Sequence, residues 1–112
     1  MDPVRYPFGP ADVQNVTAAA TNALTVKNGG LTYVKLSQLG EAITALTVTV
    51  PADMPDGALL FIEIPCGGTA YNVTPSTGFT SAALTGSINK TKVASFVYVD
   101  GKFVNTGLQT IN

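Results

Sequence analysis

Three aspartates stand where turns would present them: Asp53 and Asp56 in Pro51-Ala52-Asp53-Met54-Pro55-Asp56-Gly57, and Asp100 in Asp100-Gly101. Loop carboxylates bind calcium, and two carboxylates facing each other across a cleft hydrolyse glycosides. A calcium loop gathers several oxygen ligands at organised spacing, whereas this loop offers two carboxylates. Asp before Gly is also what a tight turn selects for its own geometry. Cys66, the single cysteine, follows Ile64-Pro65 and precedes Gly67-Gly68. A thiolate nucleophile requires a base, and the chain contains no histidine to serve as one. The same absence removes imidazole acid/base work, histidine metal ligation and a Ser-His-Asp triad. The expectation is a protein that is not an enzyme and carries no metal and no cofactor, with Cys66 as a small residue entering a turn.

Two further patterns have simple explanations. Asn15-Val16-Thr17, Asn72-Val73-Thr74 and Asn89-Lys90-Thr91 match the N-glycosylation acceptor, but a chain this rich in Asn and Thr produces such matches by chance. Gly29-Gly30 and Gly67-Gly68 read as turns, because neither opens a helix that would cradle a phosphate.

The residues suited to binding lie elsewhere. Residues 1–12 carry Pro3, Pro7, Pro10 and Gly9, which hold the backbone extended and bar a helix. This extended N-terminal arm holds Arg5, Tyr6 and Phe8, types enriched where proteins grip one another. They would either clamp a partner or fold back over their own domain. Charged residues make up 12% of the 112, about half of the ~25% usual in soluble domains, so threonine, asparagine and serine must wet the surface. Such a surface suits an oligomer or lattice, with a threonine-rich monomer as the plainer alternative. With 6 basic and 7 acidic residues, the net charge of -1 gives no electrostatic footprint for nucleic acid. No apolar run approaches the ~20 residues of a membrane span, and no signal peptide opens the chain. The expectation is neither a nucleic-acid nor a membrane partner, and folding in a cytoplasm.

The elements that must position these residues read as strands. Leu24-Thr25-Val26, Asn28-Gly29 and Leu31–Leu36 spell strand, tight turn, strand. Residues 11–25 suit either a short helix capped by Asp12 or strand and turn, and are read as strand or coil. In Ile43–Val50 apolar residues alternate with threonine, placing Leu46, Val48 and Val50 on one face. Ala58–Ile64 is apolar on both faces, which predicts a central strand. Lys92–Val99, Asp100-Gly101 and Lys102–Asn105 predict a closing hairpin. The predicted core is Leu46, Val48, Ile62, Ile64, Val93, Phe96, Val97 and Val99. No repeat of 20 to 50 residues points to a solenoid. The expected fold is all-β, an antiparallel β-sandwich or small jelly-roll-like barrel, with the arm over 1–12 and a single domain over 13–112.

Leu46–Pro51, Gly57–Ile62, Thr69–Pro75 and Phe96–Val104 together resemble the strand pattern of small β-sandwich virion proteins of tailed bacteriophages. The likeness covers roughly residues 42 to 105, and the closing hairpin carries Phe103 where the pattern often has Trp. The resemblance implies a homo-oligomer, a trimer by preference, used in head decoration, head fibres or tail-fibre modules. Among these, a small chain with no fibrous segment fits a head decoration or auxiliary capsid protein. Its partners would be the major capsid protein or other virion proteins, its location the virion assembled in the host cytoplasm, and Arg5, Tyr6 and Phe8 its clamp. The alternative is a glycan-binding β-sandwich module of a tail-fibre or adhesin-type receptor-binding protein. That reading expects exposed rings to stack on sugars, with Tyr33, Tyr71 and Tyr98 as candidates.

Overall fold

The computed structural model describes residues 12–27 and 30–112, which form ten strands and no helix. A six-stranded sheet holds, in spatial order, β1 (Asp12–Val16), β3 (Leu31–Leu36), β5 (Leu59–Pro65), β9 (Thr91–Val99), β10 (Lys102–Thr110) and β7 (Phe79–Thr80). A four-stranded sheet holds β2 (Thr21–Thr25), β4 (Ile43–Thr49), β6 (Asn72–Pro75) and β8 (Leu84–Thr85). The arm residues Arg5, Tyr6 and Phe8, and the turn residues Asn28 and Gly29, lie outside the described residues.

The protein is all-β in two sheets, as the alternating patterns require. The strand directions depart from the antiparallel expectation. β1, β3 and β5 run parallel, as do β2, β4 and β6, while antiparallel pairing among the described residues is confined to β5 with β9, β9 with β10, and β6 with β8. The first six strands therefore alternate between the sheets, each lying parallel on the strand two places before it. That is the wiring of a short β-solenoid, not of an antiparallel sandwich or jelly roll. The predicted hairpin across Asn28-Gly29 is likewise corrected, because its strands β2 and β3 belong to different sheets. A turn dipeptide bends the chain locally and says nothing about which strand the next one will join.

The coils escape a search for sequence repeats because their lengths differ. On the larger sheet, Asp12 pairs with Thr32, 20 residues on, and Leu31 with Leu59, 28 on. On the smaller sheet, Thr21 pairs with Ala45, 24 on, and Ile43 with Val73, 30 on.

The core lies between the sheets. Leu24, Ile43, Leu46 and Val73 from one meet Val34, Leu60, Ile62, Ile64, Phe96 and Phe103 from the other, all 2% exposed or less. Phe79 lies 5.1 Å from Phe96, and Tyr98 sits edge-on to Phe103 at 5.0 Å, closing the end nearest the last hairpin. Val93, Val97 and Val99, predicted inside, are not: the first two are half-buried and Val99 is 39% exposed. Neighbours along a strand point to opposite faces, so once Phe96 faces inward with Ala94 and Tyr98, these valines face outward.

Local chemistry fixes the ends. Asp100 (φ 49°) and Gly101 (φ 87°) form the two-residue turn between β9 and β10, with Val99 opposite Lys102. Two successive positive φ values match the right-handed twist of the paired strands, which is why Asp-Gly closes this hairpin. Between β1 and β2 the buried Asn22 (7% exposed) accepts from the Ala19 amide at 2.9 Å and donates to the Thr17 carbonyl at 3.0 Å. β1 is joined to β2 by Gln14, whose amide donates to the Thr25 carbonyl at 2.8 Å.

Candidate functional site

The two outer faces differ in chemistry. On the smaller sheet, Thr21, Ala23 and Thr25 of β2 lie beside Ala45, Thr47 and Thr49 of β4, with exposed Asn72, Thr74 and Thr85 beyond. This surface is small, polar and uncharged. On the larger sheet the outward residues fall into rows across the strands. One row is Leu31, Leu59, Val97 and Val104, all half-buried, with the exposed Val99 beyond it on β9. The next is Val13 (56% exposed), Tyr33, Phe61 and Ser95. The third is Asn15, Lys35, Glu63, Val93 and Gln109.

The sequence dictates this face. β5 is apolar at nearly every position, so burying Leu60, Ile62 and Ile64 leaves Leu59 and Phe61 outside. β9 repeats the situation with valines. The Tyr33 and Phe61 rings lie side by side on adjacent parallel strands, centroids 6.1 Å apart and tilted by 35°.

At the C-terminal ends of β1, β3 and β5 the face sinks into an open depression of about 330 Å³. Its lining is Asn15, Thr17, Lys35, Ser37 and Glu63, with Val16 and Leu36 as the apolar part. Ser37 is held by two contacts: its amide donates to the Val16 carbonyl at 2.9 Å, and its Oγ accepts from the Ala18 amide at 2.8 Å. Tyr33 reaches the rim through its hydroxyl, which donates to Glu63 Oε2 at 2.7 Å. That bond, with partial burial and the carboxylate's charge, pushes the Tyr33 pKa up to about 12, because deprotonation would lose the bond and set two anions together. Tyr33 is a neutral donor at physiological pH and fixes one oxygen of Glu63.

The other predicted residues are dispersed. Tyr98 is core, 8% exposed, and offers no ring face for stacking. Tyr71 is half-buried against the core, and its carbonyl accepts from the Gly86 amide at 3.1 Å. Of the three tyrosines, only Tyr33 stands on the open sheet face. Asp56 and Asp100 do come together: Asp56 Oδ1 accepts from the Asp100 amide at 3.2 Å, and Gly57 donates to the Tyr98 carbonyl at 2.8 Å, tying two turns. Asp53 is exposed in its loop. Cys66 is a buried free thiol whose Sγ lies 3.8 Å from the Tyr71 carbonyl.

Sequence reasoning missed Phe61 as a partner of Tyr33, and missed Asn15, Lys35 and Glu63 as a group. The doubly apolar strand β5 was the available signal for Phe61. The polar group had none, since it is assembled by parallel pairing of strands far apart in sequence.

The sequence matches no protein-family model and no curated protein.

Proposed function

We propose that this chain is a bacteriophage virion structural protein of the capsid decoration or auxiliary type, which binds the head shell, stabilises it and catalyses no reaction. The observation that carries the reading is the inequality of the two outer faces. One is clad in threonine and alanine, and the other keeps Leu31, Leu59, Val97, Val99 and Val104 outside the core. Covering an apolar face gains about 25 cal/mol per Å² removed from water, and a chain with 12% charged residues has little charge to desolvate in doing so. Leu59, Val97 and Val104 of that row come from β5, β9 and β10 and lie within residues 42 to 105, over which the likeness runs. Reinforcement by burial and shape needs no reactive group.

In this reading the chain is a homotrimer, its partner is the major capsid protein, and Arg5, Tyr6 and Phe8 add a second grip. Light scattering on the intact protein and on a form lacking residues 1–12 tests the oligomer. Co-sedimentation with heads built from the capsid protein encoded alongside it tests attachment. Binding that is lost in Val97→Lys, with an unchanged circular dichroism spectrum, is the expected result. A monomer that does not co-sediment with heads would end the proposal.

A further inference from the structure

We infer that the depression beside Tyr33 is a saccharide-binding site, formed by Asn15, Thr17, Lys35 and Glu63, with Tyr33 reaching its rim through Glu63 and Phe61 next to Tyr33 on the same face. The inference does not depend on attachment to a shell. The row of Leu31, Leu59 and Val97 lies four residues along the strands from Lys35 and Glu63, about 13 Å at the usual rise. A partner covering the first can leave the second open.

Four observations combine. The hollow, about 330 Å³ and wide open, falls at the small end of ligand pockets and suits one sugar residue. Its lining mixes donors and acceptors: a carboxamide, an ammonium and a carboxylate on three neighbouring strands, and two hydroxyls just past the ends of two of them. A pyranose presents adjacent hydroxyls that both donate and accept, so this mixture serves it better than a single-sign cluster would. The rings of Tyr33 and Phe61, 6.1 Å apart on the sheet face, provide the apolar surface against which a sugar's C–H face packs.

The fourth is positioning. Tyr33 O–H at 2.7 Å spends one lone pair of Glu63 Oε2 and locks the carboxylate, so Oε1 and Lys35 Nζ remain to engage vicinal hydroxyls. Ser37, pinned by the Ala18 amide, is likewise held in place. A preorganised carboxylate loses less freedom on binding than a free one.

The test is a titration of the isotopically labelled intact protein, followed by amide chemical shifts, with the methyl glycosides of glucose, galactose, mannose and N-acetylglucosamine, and with glycine as a zwitterionic control. Saturable shifts at Asn15, Lys35 and Glu63 with at least one glycoside, and none with glycine, are expected. Lys35→Ala and Asn15→Ala replace exposed side chains and leave the fold in place; each should weaken binding by about tenfold, the size of one hydrogen bond to a charged or polar partner. Tyr33→Phe keeps the ring but frees Glu63, and should weaken binding less than Tyr33→Ala. No saturable shift with any of the four glycosides, a response to glycine matching that to sugars, or binding untouched by Lys35→Ala and Asn15→Ala would each overturn the inference. Loss of head co-sedimentation alone leaves it standing.

Discussion

Tyr33 donates its phenolic proton to Glu63 across two parallel strands, at 2.7 Å, on the outside of the protein. The Tyr33 phenol should therefore titrate late, near pH 12, in an ultraviolet tyrosinate titration. Glu63→Gln removes the charge and should return it toward 10.0. Because the folded pKa lies above the unfolded one, this contact's contribution to stability is complete below about pH 10 and fades as pH rises to about 12. No tyrosinate transition near pH 12, or one unmoved in the variant, would contradict the assignment.

Parity along β9 can be tested by truncating neighbours. Phe96→Ala, at 0% exposure, should cost about 3–5 kcal/mol in chemical denaturation. Val97→Ala, on the outer face, should cost less than about 1 kcal/mol. Equal costs would mean that β9 is wrongly faced.

Asn22 uses both ends of its carboxamide at the β1–β2 turn. Asn22→Asp keeps the acceptor for Ala19 but turns the donor to the Thr17 carbonyl into a second oxygen, and should destabilise by about 2 kcal/mol at neutral pH. Protonating the new carboxyl should restore part of the loss, so the gap from wild type should narrow in acid. A gap independent of pH would argue against the clamp.

Glycines in this chain divide by surroundings. A Cβ at Gly86 would collide with the Tyr71 carbonyl and Cys66 Sγ, whereas one at Gly68 meets nothing within 4 Å. Gly86→Ala should lower the unfolding midpoint substantially and Gly68→Ala should leave it close to wild type. Gly101→Ala, with open space but φ +87°, should cost about 1 kcal/mol from backbone strain alone.

The Cys66 thiol is buried, and a thiol-specific chromogenic reagent should modify it slowly in the native protein and at once in denaturant. Fast native labelling would place Cys66 at the surface.

The closing hairpin was legible because its information is local: Asp100-Gly101 and the alternation beside it suffice. Strand positions in β4 and β5 were legible for the same reason. Partners were not, since nothing near Leu31 announces that it will lie parallel to Leu59, with an entire strand of the other sheet between them in sequence. Facing failed on β9, where apolar residues fall on both faces and the pattern alone does not say that Phe96 goes inside and Val97 out. The depression failed hardest, as Asn15, Lys35 and Glu63 become neighbours only once three coils have stacked.

The ladder of β7 on β10, through Phe79 with Phe103 and Thr80 with Val104, sets an order in time. Among the described residues, β5 finds its second neighbour in β9, and β7 finds its one neighbour in β10. During synthesis the first coils can stack as they emerge, but the larger sheet stays incomplete until residue 110 has left the ribosome. The two-residue hairpin closes in microseconds, far faster than the crossovers between parallel strands. β9 and β10, made after β5 and β7, then pair quickly with each other and offer β5 one side of the hairpin and β7 the other.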